Sequence, residues 1–196
     1  MATSIEPQAN PAAAGLAGFG VTTVLLSLIN AAILPPGGES VVLPLALAYG
    51  GLIQLIAGLL EYRAGNTFGT TVFLSYGAFW WWFALLLILG NNGLLNLEKA
   101  GSTIGTALLL WAIVSTCFWA ATFRLTRAIW ALLLLVALTF YLLAFGNLLA
   151  TPSLTILGGW AGLAAGMLAL YCSLAIVVNA TFARPLLPLG LAPIIA

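Results

Sequence analysis

The sequence predicts an all-α integral membrane protein with six transmembrane helices. Three observations carry this. Of 196 residues, 63% are hydrophobic and only 5% charged, and the mean hydropathy is +1.19. A soluble globule carries about a quarter of its residues charged, so a soluble domain is excluded. The apolar residues gather in six stretches, at about 13–34, 41–60, 69–89, 101–122, 128–149 and 154–180. Each is near the roughly 20 residues that a helix needs to cross a bilayer. No connecting segment is long enough to hold a further domain.

The punctuation justifies each span in turn. Pro35-Pro36-Gly37-Gly38-Glu39 is a tight turn after the first, and Glu61-Tyr62-Arg63-Ala64-Gly65-Asn66 separates the second from the third. Asn91-Asn92-Gly93 with Glu98-Lys99 closes the third, Arg124 to Arg127 the fourth, Ala150-Thr151-Pro152 the fifth and Arg184-Pro185 the sixth. The chain therefore divides into a short N-terminal segment (1–12), a six-helix membrane domain (13–180) and a short C-terminal tail (181–196). Met1 to Asn10 hold no Lys or Arg. A signal-peptide n-region is missing, and the mature chain is expected to begin near Met1.

Orientation follows from the cations. Arg63, Arg124, Arg127 and Arg184 fall on the side of both termini, and Lys99 alone falls on the other. The positive-inside rule then places both termini in the cytoplasm. An internal echo also runs through the chain. Gly65-Asn66 lies between the second and third spans, and Gly146-Asn147, 81 residues later, lies between the fifth and sixth. Two halves of three helices must run in opposite senses, so the echo predicts two inverted three-helix repeats. Asn66 is then expected to cap the third helix from one side, and Asn147 or Thr151 the sixth from the other. The positive ends of those helices would face small anions.

The scarcity of charge excludes several classes. Five Lys/Arg at net charge +1 provide no nucleic-acid footprint. Cys117 and Cys172 sit in apolar runs, so neither a disulfide framework nor a zinc site is expected. With no histidine and four acids, acid–base and metal chemistries lack their usual groups, and no enzyme, metal or cofactor is expected.

Polar residues inside lipid-spanning helices are costly and default to functional candidates. Phe19, Thr23, Ser27 and Asn30 fall within about 80° of one helical face. They read as pathway-lining, against the alternative of Thr and Ser bonding their own i−4 carbonyls with Asn30 as a cap. Gly50, Gln54, Gly58 and Glu61 share a face of the second span. Gln54 needs a partner, either on a neighbouring helix or in a lumen. Glu61, at the end of that span, is counted with the substrate pathway, against the alternative of a plain interfacial carboxylate. The third span begins Asn66-Thr67 and carries Tyr76 among small residues, from which its hydroxyl projects into a narrow lumen. Its Trp80-Trp81-Trp82 run sits too deep for an interfacial belt, so indoles are expected between helices. Gly158, Gly162 and Gly166 are two overlapping small-xxx-small steps for close helix packing, within or between protomers.

Three segments together are similar to the acetate uptake transporter family. Asn10-Pro11-Ala12-Ala13-Ala14-Gly15-Leu16-Ala17-Gly18-Phe19-Gly20 resembles its N-terminal signature. Ala57-Gly58-Leu59-Leu60-Glu61-Tyr62 with Gly65-Asn66-Thr67-Phe68-Gly69 resembles its second block, and Ser75-Tyr76-Gly77-Ala78-Phe79-Trp80 its third. Order and spacing agree through Gly146-Asn147 and Gly158-Gly159-Trp160, nearly the whole chain. Within the family the likeness is to the bacterial and archaeal succinate–acetate permeases. The resemblance implies a homohexamer, a pathway in each protomer for acetate, succinate and similar carboxylates, and a constriction of Phe, Tyr and Leu from the first, third and fifth helices. The first two fall on Phe19 and Tyr76. The third falls on Val136, one methylene short, which implies a wider neck or help from Leu135. Ala13 and Ala14 replace the signature's second proline and leucine, so the first helix is less pinned at its start.

The expected function is a plasma-membrane channel or transporter for small carboxylates, passive or proton-coupled. Thr67, Asn66 and Asn147 belong to its vestibules, and Phe19, Tyr76 and Val136 form a dry neck. The alternative is a channel for a neutral solute such as urea or ammonia. No deep titratable group is expected to relay a proton, so a proton that crosses travels on the substrate.

Overall fold

The computed structural model describes residues 9–193. Among them, six helices are long and apolar enough to cross a membrane: α1 (Ala12–Asn30), α2 (Glu39–Arg63), α3 (Thr67–Asn91), α4 (Gly101–Arg124), α5 (Arg127–Leu148) and α6 (Pro152–Thr181). The helices sit where the apolar stretches place them, with one clear shift. The first stretch was expected to run to Leu34, but α1 stops at Asn30. Ala32 takes a left-handed φ of 57°, and the amides of Ile33 and Leu34 both turn back onto the Leu28 carbonyl. That closure satisfies end carbonyls that would otherwise be orphaned. The apolar residues after it belong to the turn.

Local chemistry sets the other ends. Asn66 precedes α3 in an extended conformation and its Oδ1 accepts from the Gly69 amide at 3.0 Å, as an N-cap should. Thr126 Oγ1 does the same for Ile129 at the start of α5. Pro152 opens α6 at a position where a missing N–H costs nothing.

The second helix is not uniform. Pro44 removes a donor from its first turns, and residues Ala46–Ile53 are wound more widely than an α-helix before regular winding resumes at Gln54. Such widened turns concentrate at functional sites. Gly50 and Gly51 let this segment press against its neighbours. A Cβ on Gly50 would lie 2.9 Å from both Thr22 Oγ1 and Trp80 Cγ, and one on Gly51 would enter the Trp81 indole. Of the face expected on this helix, Gln54 and Glu61 line one cavity, while Gly50 packs against Thr22 and Trp80 and Gly58 against Leu74.

The helices pack in chain order around a ring. α1 lies against α2 and α6, α2 against α3, α4 against α5, and α5 against α6. The closing seam, α3 to α4, is thin in backbone terms and is bridged by side chains. Tyr76 donates to Ser115 at 2.9 Å, and Phe79 meets Trp111 edge-on at 5.4 Å. The Gly158, Gly162, Gly166 stripe of α6 packs inside the protomer. Gly158 faces Leu143 of α5, Gly162 faces Ser27, and Gly166 faces Val24 and the Gly20 carbonyl of α1. Outward-facing residues such as Leu110, Ile113, Leu138 and Met167 are exposed and apolar, as a lipid- or subunit-facing surface requires.

Candidate functional site

Two cavities lie inside the ring. The larger, about 580 Å³, opens at the end of the bundle that carries both termini. Asn10, Glu61, Asn66 and Arg124 stand toward its mouth, and Gln54 and Tyr76 lie deeper. The smaller, about 50 Å³, is bounded by Thr23, Ser27, Asn30, Trp80 and Phe140. Phe19 and Val136 line both. They are the partition between the chambers, and Tyr76 stands on its larger side.

That partition is built from rings. The Tyr76 ring is 3% exposed and lies 5.7 Å from Phe19, 5.9 Å from Phe118 and 6.4 Å from Phe140. Phe79 adds an edge-on contact to Phe140 at 5.0 Å. Such offset and edge-on pairs each add about 0.5–1.5 kcal/mol beyond simple burial, so the partition is backed by a packed aromatic cluster. An anion stripped of water in such a neck is heavily penalised.

The polar groups on the two sides differ in kind. In the larger cavity, Gln54 (1% exposed) and Glu61 (3% exposed) sit seven residues apart on α2, which is about 10 Å along the helix axis. Each has a buried acceptor oxygen, Oε1 in both, with no partner. Lining the smaller cavity, Thr23 Oγ1 and Trp80 Nε1 are buried and unpartnered, and both can donate. The unpartnered atoms of the larger cavity's residues are thus acceptor oxygens, while those of the smaller cavity's residues, a hydroxyl and an indole N–H, can donate. Buried polar groups left open in this way are rare and call for an explanation.

Glu61 is positioned by a local device. Its Oε2 accepts from Asn66 Nδ2 at 2.7 Å, while Asn66 Oδ1 caps α3. Gly69 makes the room, since a Cβ there would lie 2.8 Å from the Glu61 carboxyl carbon. One asparagine therefore ties α2, α3 and the carboxylate together. Asn66→Ala removes the cap and the carboxylate's partner at once. The expected cost is about 1–3 kcal/mol, read as a lower melting temperature in detergent, whereas Thr67→Ala should leave it unchanged.

The match to the GPR1/FUN34/yaaH family model covers residues 2–189. The chain belongs to that family. It is 38% identical to the succinate-acetate/proton symporter SatP of Escherichia coli K12, over 93% of this chain and 95% of the relative. It is 35% identical to acetate permease A of Emericella nidulans, over 93% of this chain and 66% of that one. Among solved structures, the bacterial acetate channel SatP superposes with a TM-score of 0.89 at 37% identity, covering 94% of this chain and all of the other. The family read from the motifs is the family found.

In this GPR1/FUN34/yaaH member the structure gathers most of the candidate residues and sets two aside. Phe19, Thr23, Ser27 and Asn30 line the smaller cavity together, while Gln54, Glu61 and Asn66 line the larger. Thr67 is exposed and lines neither. Asn147 was expected to cap the sixth helix. Instead it lies in the last turn of α5, exposed, with its Nδ2 bonded to the Leu143 carbonyl at 2.9 Å. Thr151 makes no side-chain cap either; its hydroxyl goes to the Leu149 carbonyl. Gly146 is a helical packing position against Thr155, whereas Gly65 is a turn with a φ of 74°. The two Gly-Asn pairs have different structural jobs.

One further reading changes. The Tyr76 hydroxyl does not project free into the lumen, because it is bonded to Ser115. Glu61 is buried among the walls of the larger cavity, near its mouth. The sequence reading also missed Ser115, Phe140 and the tail. Phe140 was findable, since it stands one helical turn beyond Val136. The tail carried no signal: Asn179 holds the Leu187 backbone, Tyr171 holds the Pro188 carbonyl, and Leu189 to Ala192 return to line the large cavity.

Proposed function

We propose that this chain conducts acetate and related small carboxylates, succinate among them, across the plasma membrane, as a homohexamer with both termini in the cytoplasm. The observation that carries the proposal is the partition: Phe19 and Val136 stand between two chambers, with the Tyr76 ring against them. Membership of a family that includes a succinate-acetate/proton symporter supports the substrate class. Four of the five cations stand on the side of the termini, which supports the orientation.

The chambers divide the work. A carboxylate at the smaller one meets hydroxyl and indole donors, Thr23 and Trp80. The aromatic neck admits the acid in neutral form, because it offers no charge and no free hydroxyl. On the far side the protonated carboxyl meets acceptors, Gln54 and then Glu61. The proton travels with the substrate through the neck.

Reconstituted protein tests this with a solute panel, protein-free vesicles being subtracted. Labelled acetate and succinate are expected to accumulate faster than in empty vesicles and to compete with each other. Urea and methylammonium are expected to do neither. Uptake of urea without competition by acetate would overturn the proposal in favour of a neutral-solute channel.

A further inference from the structure

The geometry points to Glu61 as the proton acceptor that discharges the acid after it has passed the neck, a role that rests on the carboxylate-transport reading above. Its carboxyl group is 3% exposed, yet it lines the large cavity. One oxygen is engaged by Asn66 Nδ2 at 2.7 Å. The other, Oε1, has no partner. A buried carboxylate oxygen on the wall of an apolar chamber lacks a donor, and a neutral carboxylic acid brings one.

The groups around it leave that task to Glu61 alone. From α3 the cavity receives Tyr76, whose hydroxyl is bonded to Ser115, and from α6 it receives Cys172. From the end of α4 it receives Arg124, exposed at the mouth. The cavity-lining residues of α1, α5 and the tail carry no ionisable side chain. On its own helix, Arg63 is exposed and lies outside the lining. Among the described residues, Glu61 is therefore the one carboxyl group on the wall of this chamber.

The step balances as a single proton transfer. The neutral acid, handed on from Gln54, places its O–H against Glu61 Oε1. The O–H bond of the acid breaks and an O–H bond to Oε1 forms. The products are a free carboxylate and a neutral Glu61 carboxylic acid. The carboxylate leaves past the Arg124 guanidinium. Glu61 then returns its proton to water in the vestibule, which restores the open oxygen. Asn66 holds Oε2 throughout, so the proton is directed to Oε1.

The test uses full-length protein in vesicles and compares net uptake with exchange. Exchange at equal acetate on both sides needs no discharge, since each acid leaves as it came. In Glu61→Gln, net acetate uptake is expected to fall about a hundredfold or more, the scale of a lost proton-transfer group, and to fall much further than exchange does. Glutamine keeps an acceptor for Asn66 Nδ2, so the fold is expected to hold. Acetate-induced infrared difference spectra add a second readout. A protonated-carboxyl band that does not move when the acetate is carbon-13 labelled is expected in wild type and absent in Glu61→Gln. If that variant does not fold, Glu61→Asp takes its place, and the band is expected to shift. Net uptake and exchange falling together, both unchanged, or a band unaffected by either substitution would overturn the assignment. Wild type that carries no acetate would instead overturn the transport reading.

Discussion

Replacing Gly159 by alanine is expected to destabilise the protein more than any other single-methyl change in α6. A Cβ there would run into the backbone of Asn30 and Ala31, the last residue of α1 and the one that closes it. Backbone cannot rotate aside as a side chain can. Overpacking against side chains usually costs about 1–3 kcal/mol, and here α1 and α6, the most extensively packed neighbours in the ring, must separate. A loss at or above about 3 kcal/mol follows, seen as poor yield in detergent and a strongly lowered melting temperature. Gly38→Ala is the matched control, since its Cβ would sit 3.5 Å from Ile29 Cδ1, an ordinary contact. Equal stability of the two variants would contradict the close approach of α1 and α6.

The second large effect concerns the neck. Tyr76→Ala removes a buried ring that touches Phe19, Trp111, Phe118 and Phe140. Aromatic-to-alanine changes in a core cost about 3–5 kcal/mol, and this one also opens the partition between the chambers. The surviving protein is expected to pass acetate faster and to admit a six-carbon monocarboxylate that wild type excludes. Tyr76→Phe keeps the ring and loses only the bond to Ser115, a cost of about 1 kcal/mol. Its selectivity is expected to match wild type. An alanine variant with unchanged flux and selectivity would remove Tyr76 from the constriction.

The sequence was most informative where one helix face carried the signal. The stripe Phe19, Thr23, Ser27, Asn30 was legible because α1 is a regular helix, so 100° per residue maps directly onto space. The three glycines of α6 were legible as packing for the same reason, though only the structure assigns them to α1 and α5. The face of α2 was half legible: Gln54 and Glu61 line the same cavity, while Gly50 and Gly58 serve helix packing against Thr22, Trp80 and Leu74. Asn147 misled because a dipeptide repeat fixes neither helix length nor register. Gly65-Asn66 falls in a turn, and Gly146-Asn147 falls in the last turn of a helix. Glu61 was legible as a pathway candidate, but its enclosure was not. Tyr62 and Arg63 are exposed beside it, so its stretch reads as surface, and nothing local tells that Asn66 and Gly69 enclose the carboxylate. Contacts across the ring, such as Tyr76 to Ser115 over 39 residues, had no local signature at all.

The central claim is that the acid crosses the neck without charge, and the dependence of flux on pH tests it most directly. At fixed, subsaturating total acetate, the neutral fraction of an acid with a pKa of about 4.8, close to that of a side-chain carboxyl, falls about tenfold for each unit above it. Uptake into proteoliposomes, corrected for empty vesicles, is predicted to fall in step between about pH 5.5 and pH 7.5. Protein-mediated flux that stays level across that range would contradict the claim.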